Sequence, residues 1–114
     1  MNNELIDFEA LNELKDLMEE AFTELIQTYV EDCQLHMQSI EDELLSNNAP
    51  LIREHAHSIK GSSANLFVIG MIDICQNLEN EAREGNLENA KQRLQAIKDK
   101  FHLVEKSFHE KGFI

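Results

Sequence analysis

The sequence predicts an all-α protein, an antiparallel up-and-down four-helix bundle with a short accessory helix at its N-terminal end. Three observations carry that expectation. Leu, Glu, Lys and Ala are abundant, with four Gly and one Pro among 114 residues, and such a composition favours helix. No stretch alternates apolar and polar residues with the period of two expected of a half-buried strand. Apolar residues instead recur at steps of three and four, the spacing that gathers them on one helical face.

The elements follow in chain order. Asp7 is suited to cap a short first helix whose apolar stripe is Phe8, Leu11, Leu14 and Met18. A long helix comes next, with Phe22, Ile26, Tyr29, Cys33, Met37, Ile40 and Leu44 as its buried face and acids over much of the outer one. Ser46-Asn47-Asn48-Ala49-Pro50 stops it, because Ser and Asn favour turns and caps while Pro is tolerated in the first turn of the following helix. That helix runs to about Leu66 or Val68. The apolar run Leu66-Phe67-Val68-Ile69 before Gly70 can serve as a last turn, a buried connection or a partly exposed hydrophobic lip. Met71, Ile74, Cys75, Leu78 and Ala82 mark another helix, closed at Gly85-Asn86 where Gly suits the left-handed C′ position. Leu87, Ala90, Leu94, Ile97, Phe101, Val104 and Phe108 then continue the pattern for the rest of the chain. Four such stripes can be buried only against one another, and residues 1–114 are expected to form a single domain.

Charge narrows the function. With 22 acids against 10 bases the formal net charge is −12, which argues against nucleic acid, since phosphate contacts need a basic surface. A protein partner is expected instead. No apolar run is long enough to span a membrane, and Met1-Asn2-Asn3-Glu4 lacks the basic and apolar regions of a signal peptide, so a cytoplasmic location is expected. Cys33 and Cys75 fall in core phase and read as free buried thiols.

The most informative stretch is His55-Ala56-His57-Ser58-Ile59-Lys60-Gly61-Ser62-Ser63-Ala64. On a helical wheel Ile52, Ala56, Ile59, Ser63 and Leu66 share the core face, while Arg53, His57, Lys60, Gly61 and Ala64 share the opposite one. His57 therefore points away from the core, with a cation one turn to either side. A neutral imidazole is a competent nucleophile near neutral pH, and the phosphoramidate that it forms can pass its phosphoryl group on. Lys60 and Arg53 are the groups such a transfer would use to neutralise phosphoryl oxygens. Gly61 lies mid-helix, where Gly costs about 1 kcal/mol relative to Ala, and at this place it would leave room for a partner.

The run His57-Ser58-Ile59-Lys60-Gly61-Ser62-Ser63, preceded by Ala56 and followed by Cys75 and Leu78-Glu79, resembles the signature of the histidine-containing phosphotransfer (HPt) domains of bacterial multistep phosphorelays. The resemblance covers nearly the whole chain in size and helix order. It implies that His57 is the phosphoacceptor, that Lys60 helps stabilise the phosphoryl group, and that Gly61 keeps the surface open. Glu79 matches a position where the family carries Gln or Glu near the histidine. Phe67 is a departure, because the family commonly has Gly ten residues after the histidine. With Arg53, Ala64 and Glu79, Phe67 is expected to contribute to partner binding. The resemblance further implies a carrier without kinase machinery or a cofactor of its own, and a monomer is expected because one bundle uses up the strong apolar stripes. Its expected partners are a response-regulator receiver domain, which would supply the aspartate and Mg²⁺, and a hybrid sensor histidine kinase. The start at Met1 and the full-domain length fit a free-standing shuttle.

Other constellations are weaker. Glu54 and His57 form E-x-x-H, and Asp99 and His102 a looser D-x-x-H, but ligands of a metal bundle must face the core and Glu54 and His57 do not. His55 and His57 diverge on a helix and cannot share one ion; His55 reads as a boundary residue, and His36, His102 and His109 as solvated ones. The competing function is a non-phosphorylated helical adaptor that binds a signalling protein through a groove or the Leu66 to Ile69 lip.

Overall fold

The computed structural model describes residues 4–114, and the leader-free start read at Met1, Asn2 and Asn3 lies outside the described residues. Five α-helices account for most of the chain: α1 Phe8–Met18, α2 Ala21–Leu45, α3 Ala49–Asn65, α4 Ile72–Arg83 and α5 Ala90–Glu110. A 3-10 turn, Ile69–Met71, precedes α4. Among the described residues there is no strand.

The helix starts follow from local chemistry. The Asp7 carboxylate accepts the Ala10 N–H at 3.2 Å, and the Asn48 side-chain oxygen accepts the Leu51 N–H at 3.2 Å. Each satisfies a backbone donor that has no partner inside its helix. Pro50 stands in the first turn of α3, where its missing N–H is no loss.

Helices α2 to α5 close a ring in which each packs on the next and α5 returns to α2, while α1 lies against α2. The side-chain contacts fix the directions. Tyr29 meets Ser63 and His36 meets His55 across α2 and α3; Lys60 meets Gln76 and His57 meets Glu79 across α3 and α4. Gln34 meets Glu105, and Glu41 meets Lys98, across α2 and α5. In every pair one number rises as the other falls, so neighbours run antiparallel, as the stripes require. The core holds those stripes: Phe22, Ile26, Ile40, Ile52, Ile59, Leu78, Ile97, Phe101 and Phe108 are fully buried, each worth about 1.5–3 kcal/mol relative to exposure.

The end of the chain differs from the expected uninterrupted helix. After α5 the backbone turns at Gly112, whose φ is +74°, and Phe113 folds back to stand edge-on against Phe22 with centroids 5.1 Å apart. Leu87 also precedes α5 rather than joining it. Burying Phe113 explains why the helix stops: a straight continuation would carry that ring into water.

The connection after α3 combines two of the three alternatives, a buried connection with a partly exposed edge at Phe67 and Ile69. Leu66, Val68 and Met71 are buried, and of the run only Ile69 is exposed. The Val68 N–H donates to the Ser63 carbonyl at 2.8 Å and the Phe67 N–H to the Ala64 carbonyl at 3.2 Å. This is a Schellman cap whose left-handed residue is Phe67, at φ +61°. A position of that conformation normally takes Gly, so Phe67 holds it against a steric cost of about 1–2 kcal/mol. The segment before α1 helps secure it: the Asp7 N–H donates to the Phe67 carbonyl at 2.8 Å, and the Gly70 N–H to the Leu5 carbonyl at 2.9 Å. Residues Leu5 to Asp7 thus lie as a strap across the α3–α4 junction. A Cβ on Gly70 would stand 2.8 Å from the Leu5 Cδ1, 3.1 Å from its Cα and 3.2 Å from its carbonyl oxygen. Gly70→Ala is therefore expected to lower stability by about 1–3 kcal/mol through overpacking; an unchanged denaturant midpoint would refute the strap.

Candidate functional site

The site is built where α3 runs beside α4. Ile52, Ala56, Ile59 and Ser63 turn one face of α3 into the core, and the Ser63 hydroxyl hydrogen-bonds the Tyr29 hydroxyl at 2.7 Å, fixing the helix rotation. His57 consequently faces outward, with its side chain 64% exposed. On α4, Cys75, Leu78 and Ala82 are buried, and Glu79 beside Leu78 is carried into the seam with α3, its side chain only 4% exposed.

A buried carboxylate needs compensating partners, and Glu79 has them on three sides, two cations and the ring of His57. Its Oε2 lies 3.1 Å from the His57 Nδ1 and 3.1 Å from the Arg83 Nη2. Lys60 Nζ stands 2.8 Å from Oε1. That last contact is an ion pair rather than an aligned hydrogen bond, for Oε1 has no partner of hydrogen-bond geometry; the ammonium directs its bond to the Gln76 side-chain oxygen at 2.8 Å. Gln76 donates in turn to Asn80 at 2.7 Å, and the Arg83 Nη1 donates to the same Asn80 oxygen at 3.1 Å. Burial pushes the Glu79 carboxyl up, but the contacts with Lys60 and then His57 outweigh it and hold the group below the ordinary carboxylate value.

An ionised carboxylate only accepts hydrogen bonds, so the hydrogen-bond network assigns the proton of His57 to Nδ1. The lone pair is then on Nε2, at the exposed end of the ring. In front of it is a cleft of about 570 Å³ lined by Arg53, Glu54, His57, Ser58, Glu79 and Arg83. A groove of similar size, about 580 Å³, between the end of α2 and the start of α5 contains no comparable set of groups.

The structure thus gathers His57, Lys60 and Arg53, which helical spacing put on one face of α3, together with Glu79, which only the resemblance placed near the histidine. Gly61 adjoins them, and a Cβ added there would meet nothing within 4 Å. Internal packing therefore does not require that glycine. Ala64 is exposed further along the same side of α3, whereas Phe67 is half-buried in the cap and lines no part of the cleft. The sequence reading missed Arg83. Its signal was present, since Arg83 follows Glu79 by four residues on one predicted helix. Lys60 is less free than the wheel implied: it is 21% exposed and engaged with Glu79 and Gln76.

The remaining candidates sort clearly. Cys33 and Cys75 are buried free thiols, each pushed up to about 12 chiefly by burial, and such thiols are poorly reactive. His102 and His109 are exposed. His36 departs from expectation, since its ring is half-buried and meets His55 across the α2–α3 seam. Among the described residues no group of three or more His, Cys, Asp or Glu could hold a metal ion, and no helix is long and apolar enough to cross a membrane.

Comparison with known proteins agrees with this geometry. A sequence profile of the Hpt domain matches residues 24–107. The crystal structure of histidine-containing phosphotransfer protein B (HptB) from Pseudomonas aeruginosa PAO1 is similar to this chain at a TM-score of 0.90 and 28% identity, over 96% of each chain. A search of curated proteins found no match.

The buried charge has a measurable consequence. Because the Glu79 carboxyl is held below its ordinary value of 4.5, the unfolded chain takes up its proton first as pH falls. The stability it contributes is complete above that ordinary value and is lost as pH drops through the lower folded one. Glu79→Gln should remove this part of the acid transition, and Glu79→Ala should also cost about 1–3 kcal/mol at neutral pH by leaving the polar groups around it unpaired. Denaturant melts of the three proteins at pH 7 and pH 3.5 check both; identical pH dependence in all three would contradict the ionised pairing.

Proposed function

The chain belongs to the Hpt domain family, and from that premise we propose that His57 is the residue on which it carries the phosphoryl group. The chain is a histidine phosphotransfer intermediate of a phosphorelay, whose partners are receiver domains and histidine kinases. The observation that carries the residue assignment is the exposed Nε2 of an imidazole whose Nδ1 is engaged by a buried carboxylate.

The Nε2 lone pair attacks the phosphorus of an aspartyl phosphate on a receiver domain. A nitrogen–phosphorus bond forms, the phosphorus–oxygen bond breaks, and the aspartate leaves as a carboxylate. The Nδ1 proton stays where it is. The ring becomes cationic as Nε2 gives up its lone pair, and Glu79 beside Nδ1 stabilises that charge. Reversal returns the group to an aspartate, so one site serves both directions. Arg53 and Arg83, at the rim of the cleft, neutralise phosphoryl oxygens, while Lys60 acts on the ring through Glu79. Glu79 is already engaged by the Lys60 and Arg83 cations and by the His57 Nδ1–H, and by the family resemblance Mg²⁺ would be held by the receiver, where it would neutralise the transferring oxygens. Gly61, open to solvent one turn from His57, gives the receiver backbone-level access, with Ala64 continuing the small-residue surface. Phe67 influences partner choice only from the cap of α3.

Incubation with a phosphorylated receiver domain and Mg²⁺ tests the assignment. The chain should acquire an acid-labile, alkali-stable phosphate, and His57→Gln should acquire none. If no receiver or hybrid kinase of the same genome phosphorylates the wild type, the helical-adaptor reading replaces this one. Gly61→Ala separates access from folding: it is expected to stabilise the helix by about 1 kcal/mol and yet to slow transfer roughly tenfold, equivalent to about 1.4 kcal/mol of lost docking. Unchanged transfer in that variant would remove Gly61 from the docking surface.

A further inference from the structure

A second pair of titratable groups lies on the other flank of α3. His36 on α2 and His55 on α3 face each other with their Nδ1 atoms 2.9 Å apart, ring centroids 5.2 Å apart and ring planes tilted by 50°. Two imidazole nitrogens at that distance must share one proton, one ring donating from Nδ1 while the other accepts through its lone pair. No third ligand joins them to make a metal site among the described residues.

We propose that His36 and His55 form a proton-sensitive latch between α2 and the helix that carries His57. The chemistry gives the latch two steps. In the neutral pair, the donor ring has its free lone pair on Nε2, away from the contact. A first proton from solvent binds there and leaves the bridging bond intact, now charge-assisted. A second proton has only the accepting Nδ1 left to take, and there it places two N–H groups and two positive charges face to face. The pair must then separate, and the N-terminal half of α3 loses its side-chain tie to α2.

The surroundings set the direction. His36 is held below the ordinary His value of 6.5 by burial first and by His55 next, with Asp32 one turn earlier on α2 pulling the other way. The charged groups on the far sides are engaged elsewhere: on α5, Glu105 accepts from Gln34 and Lys98 pairs with Glu41, and on α3, Arg53 and Glu54 line the His57 cleft. A half-buried histidine lowered in the folded state contributes stability above its unfolded value that is lost as pH falls below 6.5 through the folded one. That window opens at a higher pH than the one set by Glu79. The latch rests on the pair's geometry alone and stands or falls independently of the role of His57.

Nitrogen-detected NMR of the imidazole rings tests the proposal on the wild-type domain. At pH 8 one of the two rings should be protonated at Nδ1 and the other at Nε2. On acidification the pair should titrate in two steps more than about one pH unit apart. As pH falls from the ordinary His value of 6.5 toward the second step, the opening constant read from amide exchange around Ala56 should rise by up to about tenfold per pH unit, the response to one proton, and level off below that step. His36→Gln and His55→Gln keep a donor and an acceptor in place without a second charge. In each, the remaining ring should titrate in one step and the acid-dependent rise around Ala56 should disappear. Independent single-step titration of both rings in the wild type would overturn the latch, as would an equally acid-sensitive α3 in the two variants. The wild-type titration decides the matter even if a variant does not fold.

Discussion

Burying a carboxylate in the seam between two helices is costly unless positive charge comes with it, and Glu79 draws that charge to one point of the surface. Lys60 reaches it from α3 and Arg83 from one turn along α4, and the neutral His57 ring adds a hydrogen bond from Nδ1. The same contact that satisfies the carboxylate selects which nitrogen of the histidine holds the proton. A structural need of the α3–α4 seam thereby becomes a chemical property of the exposed ring, with Nε2 free to react. Gln76 and Asn80 extend the constraint by holding Lys60 and Arg83 in place.

The rest of the bundle keeps that arrangement in register. The Tyr29–Ser63 hydrogen bond and the buried face of α3 set the rotation that turns His57 outward. The Schellman cap at Phe67 and the strap from Leu5 to Asp7 end α3 and start the connection to α4, so the two helices meet at a fixed height. His36 and His55 tie the opposite flank of α3 to α2. The histidine helix is thus held on both sides by polar pairs of different kinds, one anchored by an ionised carboxylate and one dependent on a shared proton.

Most of the architecture was legible in the sequence because amphipathic period, caps and breakers act locally. Asp7, Asn48, Pro50 and Gly85 mark helix ends wherever the helices later pack. The Phe113 fold-back was not legible, since its reason is an aromatic contact with Phe22 at the other end of the chain. The reason for Phe67 in a glycine position was equally hidden, because the hydrogen bonds that support it come from the strap. At the site, His57 and Gly61 stood out by breaking the wheel. Glu79 was legible only by resemblance, as helical phase places it beside the core and says nothing of its partners. Arg83 and the His36–His55 pair required knowing which helices are neighbours and in which direction they run, and the sequence provides neither at side-chain resolution.

The central claim is that Glu79, by engaging Nδ1, makes Nε2 the reacting atom. The most direct measurement labels the histidines with ¹⁵N, phosphorylates the domain from a receiver, and reads the ³¹P–¹⁵N coupling of the phosphohistidine. Phosphorus is expected on Nε2 of His57, with Nδ1 still protonated against Glu79. Phosphorus on Nδ1, or on another histidine, would contradict it.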